Sequence, residues 1–187
     1  MLTLPIDEIL PTIDDVIRSR RRLVLTAPPG SGKSTRVPPR LLDVVKGQVL
    51  LLQPRRVAAR SLATRIAAER GWTLGGQVGY RVRFEKVGGP DTRLWVMTEG
   101  TLTRRLQDDP YLENVGCIIL DEFHERSLHT DLALAWLAEL QRTVREDLVI
   151  VVMSATMDPL LVARFLGDGN GDALVLDVSG RLYPVAM

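Results

Sequence analysis

Six stretches of this chain are apolar almost without interruption: Leu23–Thr26, Val49–Gln53, Leu94–Thr98, Cys117–Asp121, Val149–Ser154 and Leu174–Val178. A strand with one wet face alternates apolar and polar residues, whereas a strand covered on both faces does not. Most of these runs therefore predict strands buried on both sides of a parallel sheet. Gln77–Phe84 does alternate and predicts one further strand. Between the runs lie helical patterns. Arg56–Arg70 is rich in Ala, Leu and Arg and stops before Gly71; Leu128–Val144 carries Leu132, Leu134, Ala135, Leu137, Ala138 and Leu140. Strands alternating with helices predict a three-layer α/β/α domain with a largely parallel sheet. No repeat or low-complexity tract interrupts it, and Gly167–Asp172 is a turn-rich loop.

Composition narrows the classes. With 187 residues, one well-buried domain is expected, and 45% hydrophobic with 25% charged residues excludes disordered and collagen-like chains. Lys+Arg number 24 against 23 Asp+Glu, a net charge of +1, which excludes a globally basic nucleic-acid wrapper but leaves room for a local basic stripe. The single cysteine, Cys117, allows no internal disulfide, and with two histidines no Cys/His zinc site is expected. No apolar run is long enough to span a bilayer. The start of the chain, Met1 to Glu8, puts acids where a signal peptide carries basic residues, so a cytoplasmic location is expected.

The strongest local signal is Ala27-Pro28-Pro29-Gly30-Ser31-Gly32-Lys33-Ser34-Thr35, directly after a predicted strand. It matches a phosphate-binding loop except that Ala27 stands where Gly is usual. Gly30 and Gly32 let backbone N–H groups turn inward as an anion nest, and the helix that follows points its positive end at the same place. Lys33 supplies a point charge to the terminal phosphates and the Ser34 hydroxyl a magnesium ligand. The alternative is a Gly-rich turn before an ordinary helix.

A phosphate loop needs a carboxylate for Mg²⁺ and a group to activate water. The run Cys117–Leu120 delivers both, ending in Asp121-Glu122-Phe123-His124. At a strand end, Asp121 can hold magnesium, and Glu122, pointing another way, can orient and deprotonate the attacking water. The competing reading is a helix N-cap. His124 and His129 are five apart, one too many for a shared zinc face on a helix. His124 is read as a polar link from the nucleotide site towards a partner domain, and His129 as a surface residue.

Taken together, these segments resemble a family. Asp121–Ser127 is similar to the DEAH box of superfamily 2 RNA helicases, with Phe123 in place of Ala; Gln53–Ala59 resembles motif Ia, Thr98-Glu99-Gly100 motif Ib, and Ser154-Ala155-Thr156 motif III. Gly180–Val185 resembles the crossing from the first RecA-like domain to the second, and Phe123 with Ala27-Pro28-Pro29 resembles a bacterial type of the family. The resemblance runs from about Pro5 to the end. It implies a RecA-like P-loop NTPase domain over residues 1–180, with 181–187 starting the crossover. ATP and Mg²⁺ are the implied cofactors. RNA, gripped by its backbone, and a second RecA-like domain are the implied partners.

Residue roles follow position by position. Pro29, Gly30, Ser31, Gly32, Lys33, Ser34 and Thr35 match nucleotide binders, and Arg65 falls where an arginine stacks on the base. Ser34, Asp121 and Glu122 surround the magnesium, while Lys33, Asp121, Glu122 and His124 form the catalytic group. Arg55 and Thr98 match RNA-backbone contacts, with RNA expected to cross the edge opposite the nucleotide; Ser154 and Thr156 match residues that couple hydrolysis to domain movement.

Plainer alternatives remain open. Arg55 and Arg56 could be a solvated turn, Arg65 an exposed helix arginine and Ser154–Thr156 a cap for a helix starting near Asp158. Arg104 and Arg105 could line an RNA path or face water; the three tryptophans and Cys117 are taken as packing residues. No segment matches the second domain's arginine motif, so slow hydrolysis by this chain alone is expected. A stand-alone nucleotide switch is the alternative function, and a small-molecule kinase is disfavoured by the lack of a basic lid segment.

Overall fold

The computed structural model describes residues 3–156, 158–167 and 171–178. Among these residues eight strands form one sheet: β1 (Arg22–Thr26), β2 (Gln48–Gln53), β3 (Val78–Val82), β4 (Glu85–Val87), β5 (Leu94–Thr98), β6 (Val115–Leu120), β7 (Val149–Ser154) and β8 (Leu174–Asp177). Their spatial order is β4-β3-β5-β2-β6-β7-β1-β8, and every pairing is parallel except β3 with β4. The described α-helices that cover it are α1 (Leu10–Arg20), α2 (Lys33–Leu41), α3 (Arg56–Arg70), α4 (Glu99–Asp108), α5 (Leu128–Thr143) and α6 (Pro159–Leu166). Among the described residues, no helix is long and apolar enough to cross a membrane.

The unbroken apolar runs follow from the layering. Successive residues of a strand face opposite sides. Val49, Leu51, Cys117, Ile119, Val151 and Met153 enter a core with Ile13, Val37, Ala63 and Ile66 of α1, α2 and α3. Their neighbours Leu50, Leu52, Ile118, Leu120, Ile150 and Val152 enter a second core with Leu102, Leu134, Leu137 and Val162 of α4, α5 and α6. Polar residues are thereby excluded from both sets of positions, which leaves no alternation to see. Cys117 is fully buried, and burial drives its thiol well above the usual range, so it packs as an inert apolar group.

Within Gln77–Phe84 the strand is shorter than its alternation suggests, and a hairpin follows it. Residues 78–82 form β3, the chain reverses at Arg83-Phe84, and β4 returns antiparallel with Tyr80 opposite Val87 and Val82 opposite Glu85. Two-residue hairpin turns require positive φ, and Phe84 supplies it at +68° without being Gly or Asn. The turn therefore carried no sequence signal. Trp95 is buried and Trp72 packs against the first core, but Trp136 is half exposed on α5. The expected crossover at Gly180–Val185 and the residues 181–187 lie outside the described residues.

One close approach joins the 42–47 loop to the sheet. A Cβ on Gly116 would sit 1.9 Å from the carbonyl oxygen of Lys46, and both are main-chain constraints. Gly116→Ala is therefore expected to cost about 1–3 kcal/mol of stability, as overpacking does, read as a lower midpoint in thermal or urea unfolding.

Candidate functional site

The phosphate loop bridges the end of β1 and the start of α2. Gly30 and Gly32 lie at φ +78° and +91°, so both use the freedom that only glycine has cheaply. Ala27 does not have positive φ, and its methyl is buried in the first core, which is why the loop tolerates Ala at that position. The loop is braced from the N-terminal side. The Pro5–Ile9 3₁₀ turn sends the Ile6 N–H to the Ser31 carbonyl at 3.2 Å. Leu4 covers Gly32 so closely that a Cβ there would lie 2.6 Å from Leu4 Cδ1. The Ser31 hydroxyl is buried and, among the described residues, has no hydrogen-bond partner, a donor free for an acceptor such as a phosphate oxygen.

The acids come from β6. Asp121 is 2% exposed, with Gln53 Nε2 donating to one carboxylate oxygen at 2.5 Å and the Glu122 N–H to the other at 2.9 Å. Burial pushes its carboxyl up to about 6; a hydrogen bond from Ser34 opposes this, Glu122 adds to it, and Lys33 opposes it. Gln53 was not anticipated as a site residue. The register that sets Leu52 beside Leu120 brings it to Asp121, and its trace in the sequence is an amide closing a wholly apolar run.

Glu122 stands at φ +52° at the start of the Phe123–Glu125 3₁₀ turn, and its main-chain carbonyl accepts from the Glu125 N–H at 2.9 Å, but its side chain makes no capping bond among the described residues, so helix capping does not account for the carboxylate. Its carboxylate instead faces Lys33, with Nζ to Oε1 at 3.5 Å. Lys33 is itself only 4% exposed. Phe123 fills the second core at 1% exposure and leaves both acids in place. His124 Nδ1 is 3.6 Å from Glu122 Oε2 and 3.5 Å from Ser154 Oγ, and the Ala155 N–H points at it from 3.4 Å. The histidine thus joins the box to the end of β7. Ser154 belongs to this cluster, while Thr156 is exposed and, among the described residues, makes no hydrogen bond to it. Asp158, not Ser154, caps α6, accepting from the Leu160 N–H at 3.0 Å. His129 is exposed.

A cleft of about 200 Å³ is lined by residues 29–35, Leu62, Arg65 and Glu122. Arg65 comes from α3 and is held by Glu69 Oε1 at 2.8 Å, its side chain still 67% exposed. Burial acts to raise the Glu69 carboxyl, but Arg65, Thr35 and Arg36 together bring it below the usual carboxylate range. The flat guanidinium is therefore presented beside the phosphate loop.

Arg55 and Thr98 end up elsewhere than expected. Because β1, β2, β5 and β6 run parallel, all four end at the same edge of the sheet. The phosphate loop follows β1, the box follows β6, Arg55 follows β2 and Thr98 closes β5, so the candidate RNA contacts share the nucleotide's edge and lie on the far side of the box from it. Beside them is a groove of about 590 Å³ whose lining includes Thr98, Arg56, Arg81, Arg83, Lys86 and Arg104. Arg81, Arg83 and Lys86 were missed because the return strand β4, which closes the hairpin that gathers them, was not anticipated. Arg104 joins this groove, whereas Arg105 turns inward to Gln48 Oε1 at 3.1 Å.

Two measurements test this geometry. Gly32→Ala is expected to weaken nucleotide binding by about tenfold or more, since both its φ and Leu4 oppose a side chain. Asp121 holds its proton more tightly folded than unfolded, so raising the pH from 3.8 towards 6 lowers the stability of the metal-free chain. Magnesium needs the carboxylate, so calorimetry should find Mg²⁺–nucleotide affinity falling as the pH drops below about 6.

The family model of the DEAD/DEAH box helicase matches residues 8–163. The chain is 45% identical over 187 residues to the ATP-dependent RNA helicase HrpB of Escherichia coli K12, covering 99% of this chain and 23% of that protein. It is 40% identical to the Haemophilus influenzae homologue of the ATP-dependent RNA helicase HrpA, covering 98% of this chain and 14% of that protein. A crystal structure of the E. coli DExH-box NTPase HrpB superposes with a TM-score of 0.89 at 44% identity, over 99% of this chain and 23% of that one. The chain thus spans about a quarter or less of the length of these relatives. Matched by that family model over residues 8–163 and similar to HrpB in both sequence and fold, this chain belongs to the DEAD/DEAH box helicase family.

Proposed function

We propose that this chain is the first RecA-like half of an ATP-dependent RNA helicase, binding Mg²⁺–ATP at the phosphate loop and single-stranded RNA along the basic groove. The observation that carries this is the order at the sheet edge, where the box strand β6 separates the phosphate-loop side from the strands that present Arg55 and Thr98. The named relatives are ATP-dependent RNA helicases, which supports the same substrates here. RNA and ATP as substrates fit work in the cytoplasm.

The residues suit magnesium and nucleotide. Ser34 and Asp121 offer hard oxygen donors at one point, and the buried Ser31 hydroxyl and Lys33 sit where phosphate oxygens would lie. When bound, magnesium offsets the charge of the phosphates. The chain does the rest. Lys33 draws the terminal phosphate towards Glu122; Glu122 orients water and takes its proton; Arg65 stacks on the base. His124 keeps Glu122 in contact with the end of β7, so that Ser154 can transmit the change. Along the groove, arginines and lysines grip phosphates without reading bases.

A second RecA-like domain in the complete protein would supply the arginine that stabilises phosphoryl transfer. Alone, the chain is expected to bind ATP but turn it over about a thousandfold or more slower than the two-domain protein. In the two-domain protein, Glu122→Gln should abolish hydrolysis while sparing ATP binding, and Arg55→Ala should reduce RNA stimulation. Helicase-like turnover by the chain alone, lost in Glu122→Gln, would overturn the two-half reading.

A further inference from the structure

We propose that Glu125 is a latch that occupies Arg55 until an RNA phosphate displaces it, making Glu125 a positioning residue that ties RNA arrival to the box. This rests on the reading of Arg55 as a phosphate contact.

The segment from Asp121 to Ser127 is short and constrained. Glu122 at its start and Arg126 at its end both have positive φ, +52° and +35°, with a single 3₁₀ turn between them. Such backbone persists only where its surroundings hold it. Glu122 and His124 point to the nucleotide side, towards Lys33 and Ser154. Glu125, in the same turn, points the other way and accepts from Arg55 Nε and Nη2 at 3.3 and 3.2 Å. One turn therefore touches both sites.

Besides the Gln53–Asp121 bond, two polar ties run from the RNA side to this segment, and they differ in kind. Glu99, next to Thr98, is 9% exposed and accepts from Ser127 Oγ and Thr130 Oγ1, each at 2.6 Å. Its carboxylate is at the start of α4 and bonded into the first turn of α5, where helix dipoles favour a negative charge. Buried charge-assisted bonds of this kind are costly to break. The Arg55–Glu125 pair is exposed, 74% and 36%, and pairs so placed contribute little and are screened by salt. Glu99 is thus the pivot and Arg55–Glu125 the part that opens. An RNA phosphodiester carries the same single charge as the carboxylate but can offer the forked guanidinium two oxygens, where Glu125 gives it Oε2 alone. Once it binds, Glu125 faces a like charge and moves away, and the turn that carries Glu122 and His124 loses one of its holds.

The test uses this chain, a labelled ten-nucleotide oligouridine RNA and a non-hydrolysable Mg²⁺–ATP analogue. Fluorescence anisotropy would give RNA affinity with and without the analogue for the wild type, Glu125→Gln, Arg55→Ala and the double variant. Glu125→Gln is expected to bind RNA about two- to fivefold tighter, with that gain absent in the Arg55→Ala background. The factor by which RNA and analogue alter each other's binding should fall towards one in Glu125→Gln, because the latch is already open. Arg55→Ala binding RNA as well as wild type would remove the phosphate-contact reading itself. If instead Arg55→Ala weakens RNA binding, the latch is overturned by Glu125→Gln showing no gain, by a gain that survives in the double variant (long-range charge alone), or by an unchanged coupling factor.

Discussion

Burying a parallel sheet on both faces is the constraint from which the rest of this molecule follows. Each central strand must be apolar at every position, because one neighbour faces α1–α3 and the next faces α4–α6. Polar side chains can then appear only where strands stop. Since the strands are parallel, the stops of β1, β2, β5, β6 and β7 share one edge. Thr26, Gln53, Thr98, Leu120 and Ser154 are those stops, and the candidate chemistry is built on them or, as with Asp121, on the residue that follows. The opposite edge was never available to Arg55 and Thr98.

The site is held against its own preferences. A carboxylate as buried as Asp121 is disfavoured in its charged form, and three donors, from Gln53, Ser34 and the Glu122 main chain, only partly offset the loss of water. Glu122 has left-handed backbone without being glycine. Both features are easier to understand as preparation for a cation and a reacting phosphate than as contributions to stability. The core underneath makes them affordable: Phe123 is anchored among α5 and β7 side chains, so the turn cannot simply relax into solvent.

Much of the site was legible in order along the chain because phosphate chemistry needs particular residue types at fixed local spacing. Gly30, Gly32, Lys33 and Ser34 must be near neighbours for one loop to wrap a phosphate, and Asp121 and Glu122 must be adjacent to serve two ends of one strand terminus. Long-range partners left weaker traces. Gln53 reaches Asp121 only through strand register, and Arg81, Arg83 and Lys86 meet Arg104 only because the chain doubles back at Phe84. A positive φ on phenylalanine is a choice the surrounding packing makes, and nothing local announces it. Arg104 and Arg105, identical in sequence terms, part company because one helix position faces the groove and the next faces Gln48.

The sequence by itself determined the layer architecture, the phosphate loop and the acid pair, since each is a matter of local pattern and hydrophobic period. Tertiary structure alone decided which side of the box each arginine serves, that His124 reaches Ser154, and that Glu125 holds Arg55. These are contacts between segments far apart in the chain. They depend on strand order and register, which the two-sided burial of the sheet sets but which no short stretch of residues encodes.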